Sequence, residues 1–256
     1  MATALLEIDA ITKSFGGVVA VNNCSMTIRE GSVVGLIGPN GAGKSSVIDL
    51  VSGFERPETG SVRFDGQELV GKRPDVISRL GLIRTFQTPR EWRDLSVIDN
   101  VRVGKSDLAR ESIWRSLTSG RRFRRQELSE NDELRELMTH YRLEAVRNNR
   151  AVRLSGGQKR LLEFARIAAA KPRLTILDEP MGGVNPVLGE RIGEAIRELK
   201  RAGSTVVVVE HNLPFIEKTC DEVVVMDLGS VIAQGPFEEL RDNKRVVDAY
   251  LGNDDE

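Results

Sequence analysis

The segment Gly38-Pro39-Asn40-Gly41-Ala42-Gly43-Lys44-Ser45 meets the spacing G-x-x-x-x-G-K-[ST], and its flanks carry as much weight as its letters. An apolar run, Val33-Val34-Gly35-Leu36-Ile37, precedes it, and a helix is predicted from Lys44 to Ser52, stopping at Gly53. Glycines at these positions let successive backbone N–H groups curl around phosphates, and a helix start adds a field that favours anions. Lys44 would reach β- and γ-phosphates, the Ser45 hydroxyl would ligate Mg²⁺, and Ser46 belongs to the same cradle. The competing reading is a glycine turn feeding a helix, with Lys44 in water. The strand before the loop and the helix after it argue against that.

Two further stretches could do chemistry. Leu174-Thr175-Ile176-Leu177 ends in Asp178-Glu179, and in an open parallel sheet ligands bind at the carboxyl ends of strands. Asp178 fits a Mg²⁺ shell, through water, and Glu179 the place of a general base orienting the attacking water. Alone, the pair could be two solvated carboxylates; the phosphate loop upstream favours the chemical reading. Leu154-Ser155-Gly156-Gly157-Gln158 opens a helical pattern with apolar Leu161, Leu162, Ala165, Ala168 and Ala169. Ser155 is a good cap residue, which accounts for the serine. Capping is not taken to account for two adjacent glycines and a glutamine.

The elements that must position these residues alternate. Strands are expected at 5–8, 19–21, 24–28, 33–37, 61–66 and 82–86. From Leu174 the alternation returns, with strands at 174–177, 205–209, 223–226 and 231–233 and a helix with Leu188, Ile192, Ala195, Ile196 and Leu199 on one face. A short helix follows Pro214, and the tail is helical to about Leu251. Between them, residues 89–153 are charged and poor in β-branched side chains. Leu134, Leu137, Met138, Tyr141 and Ala145 there give an amphipathic helical spacing, so this stretch is read as a helical lobe inserted into an α/β core.

Composition is that of an ordinary globular chain: 256 residues, 40% apolar and 29% charged, enough for one large domain or two small lobes. A net charge of -1 gives no global pull towards nucleic acid or anionic lipid. The longest apolar runs, such as Val206-Val207-Val208-Val209, are strand-length. No secretion signal is read at the N-terminus. Cys24 and Cys220 lack metal or redox spacing and read as reduced packing residues, as in a cytosolic chain. Arg121-Arg122-Phe123-Arg124-Arg125 reads as a solvated face of the lobe, because Glu127, Glu130, Asp132 and Glu133 follow it.

Taken in order, Phe15, the phosphate loop, Gln87, Leu154–Gln158, Leu174–Glu179 and His211 resemble the nucleotide-binding subunit of an ATP-binding cassette (ABC) transporter over essentially the whole chain. The resemblance implies an α/β fold: a P-loop NTPase core of ABC type with an antiparallel β subdomain and an inserted α-helical subdomain, as one domain spanning 1–256. It implies ATP and Mg²⁺ as ligands. In that family two subunits, identical or related, face head to tail, and each ATP lies between one copy's phosphate loop and the other's signature, here Ser155, Gly157 and Gln158. Phe15 matches the aromatic that stacks on adenine, Gln87 the glutamine that touches Mg²⁺ and the water, and His211 the γ-phosphate contact. Lys44, Gln87, Glu179 and His211 are then the catalytic set, with Ser45, Gln87 and Asp178 at the metal. Asn185 stands where the family usually has aspartate; followed by Pro186, it reads as a helix cap, with contacts across the dimer also open. His140 is given no role.

Phe15–Asn23, Arg84-Thr85-Phe86-Gln87, Glu210-His211-Asn212 and the tail Val247–Gly252 resemble the ATPase subunits of branched-chain amino acid importers, and the long insertion the larger of the two such subunits. Membrane-spanning permease subunits docking on the helical lobe, and a peripheral place on the cytoplasmic face of the inner membrane, follow from the resemblance. Lipopolysaccharide-export ATPases share the tail and the Asn after His211; soluble ABC ATPases of translation or DNA repair are the more distant rival. No nucleic acid is expected as a partner.

Overall fold

The computed structural model describes residues 3–87, 91–105 and 132–251, so the Arg121–Arg125 cluster, Gly252 and part of the 89–153 stretch lie outside the described residues. The chain divides into two compact units, Met1–Gln87 with Arg173–Glu256, and Thr88–Pro172.

In the first unit, β1 (Ala4–Phe15) and β2 (Val18–Arg29) form an antiparallel hairpin through Gly16 and Gly17, whose φ values of 54° and 89° suit the two-residue turn such a hairpin favours. Alternate residues of β2, from Cys24 through Met26 to Ile28, are buried, the pattern of a sheet with one covered face. The fragments expected at 5–8, 19–21 and 24–28 are thus pieces of two long strands. Adding β4 (Thr59–Phe64) and β5 (Gln67–Glu68) gives a four-stranded sheet in the order β2-β1-β4-β5.

The other sheet is ordered β10-β9-β3-β8-β7-β6. Here β3 (Val33–Ile37), β6 (Leu82–Arg84), β7 (Leu174–Asp178), β8 (Thr205–Val209) and β9 (Glu222–Asp227) run parallel, and β10 (Ser230–Gly235) is antiparallel to β9. Every residue of β3, β7 and β8 is buried, which is why these strands read as unbroken apolar runs. The strand expected to reach Phe86 stops at Arg84. The helix Leu213–Thr219 lies so close to β3 that a Cβ on Gly35 would come 3.0 Å from Ile216 and Val223 side chains. The helix Pro186–Arg201 buries Ile192, Ala195, Ile196 and Leu199 of the expected face, with Leu188 half-buried.

In the second unit, the helix Val97–Gly104 packs on the helix Gly156–Ala170; a Cβ on Gly104 would lie 2.6 Å from the Arg166 carbonyl oxygen. A helix over 132–140 buries Leu134 and Met138. It ends before Ala145, which is exposed, contrary to the expected periodicity. Arg142 turns left-handed (φ 54°), and the Leu143 N–H donates back to the Met138 carbonyl at 2.7 Å, closing the helix as a Schellman turn does. Among the described residues, no helix is long and apolar enough to cross a membrane.

Candidate nucleotide-binding site

The ladder register sets the first unit's site. Asp178 at the end of β7 pairs with Val209 at the end of β8, and Val209 pairs with Leu36, two residues before Gly38. Three adjacent strand ends therefore deliver the glycine loop, Asp178-Glu179 and Glu210-His211 to one rim of the sheet. Two loop glycines are demanded by crowding: a Cβ on Gly38 (φ 150°) would lie 2.2 Å from the Met226 carbonyl oxygen, and one on Gly43 (φ 93°) 2.4 Å from that of Ala20. Beyond Gly43, α1 (Lys44–Val51) begins with no side-chain cap, so its first-turn amides are free to meet an anion. Lys44 Nζ donates to the carbonyl oxygens of Gly38 (2.7 Å) and Pro39 (2.8 Å), which holds the ammonium over the loop. Burial lowers its pKa below the usual lysine value, and the nearby Glu179 carboxylate opposes that shift. Asn40, Gly41 and Ser45 are exposed and Pro39 and Ser46 half-buried, while Ala42 is buried.

Asp178 is 3% exposed; its Oδ2 accepts from Arg84 Nη2 at 3.1 Å, and its Oδ1, also buried, has no partner among the described residues. Glu179 has φ 48°, a left-handed conformation that costs an ordinary residue about 1–3 kcal/mol. Its N–H donates to the Val209 carbonyl (3.0 Å) and its own carbonyl accepts from Gly182 (3.1 Å). His211 carries a side chain 71% exposed, with Nδ1 3.8 Å from Glu210 Oε2. Gln87 lies exposed three residues past β6, and Phe15 lies exposed at the tip of β1 with Lys13 Nζ 5.1 Å from its ring centroid.

Two residues that sequence reasoning does not place in the site are built into it. Glu210 is 1% exposed; Oε1 accepts from the Met181 N–H at 2.7 Å, and Oε2 from the N–H groups of His211 (3.1 Å) and Asn212 (3.4 Å). One carboxylate thus ties the turn after Glu179 to the His211 loop. Arg84 meets Asp178 as described. The available signals were weak: a charge inside an apolar strand, and an acid directly before His211.

The signature stretch lies in the second unit. Ser155 caps the helix Gly156–Ala170: its Oγ accepts from Gln158 N (3.3 Å) while Gln158 Oε1 accepts from Ser155 N (3.0 Å), a capping box. Capping therefore does account for the glutamine, contrary to expectation. Gly156 is different, since among the described residues a Cβ there would meet nothing within 4 Å beyond its own stretch of helix. Asn185 caps Pro186–Arg201, accepting from Leu188 N at 2.9 Å, the local role expected of it. Cys24 and Cys220 are free thiols, and burial pushes each up to about 12.

A glycine loop on a parallel sheet, a helix opening beneath it and acids at the neighbouring strand end define a P-loop nucleotide-binding protein. The chain matches the family described as ABC transporter over residues 21–182, and that described as branched-chain amino acid ATP-binding cassette transporter over residues 230–256. It is 39% identical over 251 residues to a probable branched-chain amino acid transport ATP-binding protein, LivG, of Archaeoglobus fulgidus, covering 98% of this chain and 96% of that protein. It is 34% identical to the high-affinity branched-chain amino acid transport ATP-binding protein BraF of Pseudomonas aeruginosa, over 98% of this chain and 99% of that one. Among solved structures, the ADP conformation of an ATP-binding cassette of an ABC transporter superposes with a TM-score of 0.79 at 30% identity, covering 98% and 99% of the two chains. The chain belongs to the ATP-binding subunits of ABC transporters. It is an ATPase of that family, and nucleotide is its ligand.

Proposed function

We propose that this chain hydrolyses ATP to power the import of branched-chain amino acids, with the residues at the three strand ends doing the chemistry. The single observation that carries the reading is the convergence of the phosphate loop, Asp178-Glu179 and His211 on one sheet rim through the paired ends of β3, β7 and β8. The substrate class follows from the names of the relatives and from the match over residues 230–256.

In this reading the amides of Gly41 to Ser46 and the Lys44 ammonium hold the β- and γ-phosphates, while Phe15 stacks on the adenine. Glu179 orients a water and accepts its proton as the water oxygen bonds to the γ-phosphorus and the bond to the β–γ bridging oxygen breaks; His211 contacts the γ-phosphate. The fit to Mg²⁺ rests on Asp178 Oδ1, buried and with no partner among the described residues, on the same sheet rim as the loop, with Ser45 and Gln87 as the other donors. Mg²⁺, when bound, neutralises phosphate charge there. Ser155, Gly157 and Gln158 serve the ATP of a second subunit, paired head to tail, and Gly156, where a Cβ would be crowded by none of the described residues, suits close approach from outside. Permease subunits dock on the helical lobe and hold the chain at the cytoplasmic face of the inner membrane.

The test is Glu179→Gln. Nucleotide affinity should stay within about threefold of wild type while kcat falls at least ~100-fold. Uptake of labelled leucine by cells that depend on this chain should stop. Retained turnover, or leucine uptake indifferent to the variant, would overturn the proposal.

A further inference from the structure

Arg84, at the end of β6, is a cation almost sealed from water, its side chain 9% exposed. Nη2 donates to Asp178 Oδ2 at 3.1 Å; Nη1 donates to Asp49 Oδ1 on α1 at 2.5 Å and to Ser52 Oγ at 3.2 Å. The rings of Phe54 and Phe86 lie 5.7 and 5.5 Å from the guanidinium carbon, within the reach of cation–π attraction. Asp49 and Asp178 are 129 residues apart in sequence, so the guanidinium joins the helix that opens from the phosphate loop to the strand that carries the acids.

We propose that Arg84 is a positioning residue for the metal side of the site: it holds Asp178 by one oxygen against the phosphate-loop helix and leaves the other oxygen directed to the cation. The inference rests on the assignment of Asp178 to Mg²⁺ above. Three observations carry it. Asp178 is asymmetric, Oδ2 engaged by Arg84 and Oδ1 buried with no partner among the described residues. Two carboxylates share one guanidinium, so the cluster keeps a net negative charge that a divalent cation would offset. Arg84 is also only three residues before Gln87, another of the donors proposed for the metal. A planar fork of donors that also stacks on rings suits this place; a lysine ammonium could not span both carboxylates in the same way.

The experiment uses the full chain with Glu179→Gln to suppress turnover, and reads Mn²⁺ binding to the protein–ATP complex by electron paramagnetic resonance. ATP binding in EDTA is followed in parallel with a fluorescent nucleotide. Arg84→Met should weaken Mn²⁺ binding about tenfold or more and change metal-free ATP binding less than about twofold, with Arg84→Lys in between. Mn²⁺ affinity within twofold of the parent in Arg84→Met, or equal losses in both assays, overturns the inference. If Arg84→Met does not fold, Arg84→Lys and Asp49→Asn decide by the same criterion. Asp178→Asn separates the two readings. Unchanged Mn²⁺ affinity there removes the Asp178 assignment itself; a loss there with none in the Arg84 variants removes the role of Arg84 alone.

Discussion

Glu210 is the place where a small change should have the widest effect. Its carboxylate accepts three backbone N–H groups at 2.7, 3.1 and 3.4 Å, from two segments that both border the proposed chemistry. A hydrogen bond to a charged group contributes about 1.5–3 kcal/mol, and a buried donor left without a partner costs about 1–3 kcal/mol. The 3.4 Å contact adds little, and solvent can reach the exposed His211 loop once the carboxylate is gone. Glu210→Ala should therefore cost about 3 kcal/mol, mostly at the Met181 amide, which for a chain of this size lowers Tm by roughly 6–12 °C. Glu210→Gln keeps one acceptor for Met181 but points an NH₂ at the amides of His211 and Asn212. It should cost about 1–2 kcal/mol and loosen only the histidine side.

Calorimetry of both variants tests the stability order, and steady-state kinetics tests the function. Because neither variant alters the glycine loop, KM for ATP should stay within about threefold while kcat falls about tenfold or more. The reasoning is refuted if Glu210→Ala melts within about 2 °C of wild type, or if the glutamine variant is the less stable of the two.

Other consequences are as direct. Gly156→Trp should fold with an unchanged Tm, because among the described residues nothing beyond its own stretch of helix lies within 4 Å of a Cβ there, yet lose ATPase activity while each protomer still binds nucleotide; retained activity would remove Gly156 from any approach by a partner. At pH 8 a thiol whose pKa is about 12 is ionised to only about one part in ten thousand, so neither Cys24 nor Cys220 should react with an aromatic disulfide reagent until the chain is unfolded. Rapid labelling of the native protein would count against the burial of Cys24 and the partial shielding of Cys220. Glu179→Gly should be more stable than Glu179→Ala by about 1 kcal/mol, since only glycine takes φ 48° without steric cost, while both lose hydrolysis. Equal melting temperatures would mean the backbone relaxes once the carboxylate is removed.

The parts of the site legible in the sequence are those whose physics is local. Gly38 and Gly43 announce a loop because no other residue tolerates the neighbouring carbonyl oxygens, and Asp178-Glu179 stand out because two charges end an apolar run. Phe15 and His211 carry no local signal and are legible only through resemblance. Local reading fails where the deciding contact is distant or where the chain stops without punctuation. Ala145 keeps the helical period, yet the helix has already closed at Arg142, a residue with no glycine or proline to mark it. Ser155-x-x-Gln158 is the reverse case: a capping box that can be read locally, although a ligand contact was the more conspicuous explanation.

Arg84, Glu179 and Glu210 share a further property that no local pattern encodes. Each depends on strand register: Asp178 beside Val209 brings Glu179 N to the Val209 carbonyl and sets Met181 against Glu210, while Ile176 beside Arg84 on the other flank of β7 presents Asp178 Oδ2 to the guanidinium. A slip of one residue in β7 would turn Asp178 to the other face of the sheet and break all three contacts together. The buried apolar residues of β7 and β8 oppose such a slip. The proposed catalytic geometry is therefore held by the same sheet core that stabilises the fold, and the strain at Glu179 can persist because the surrounding contacts leave its backbone no cheaper conformation.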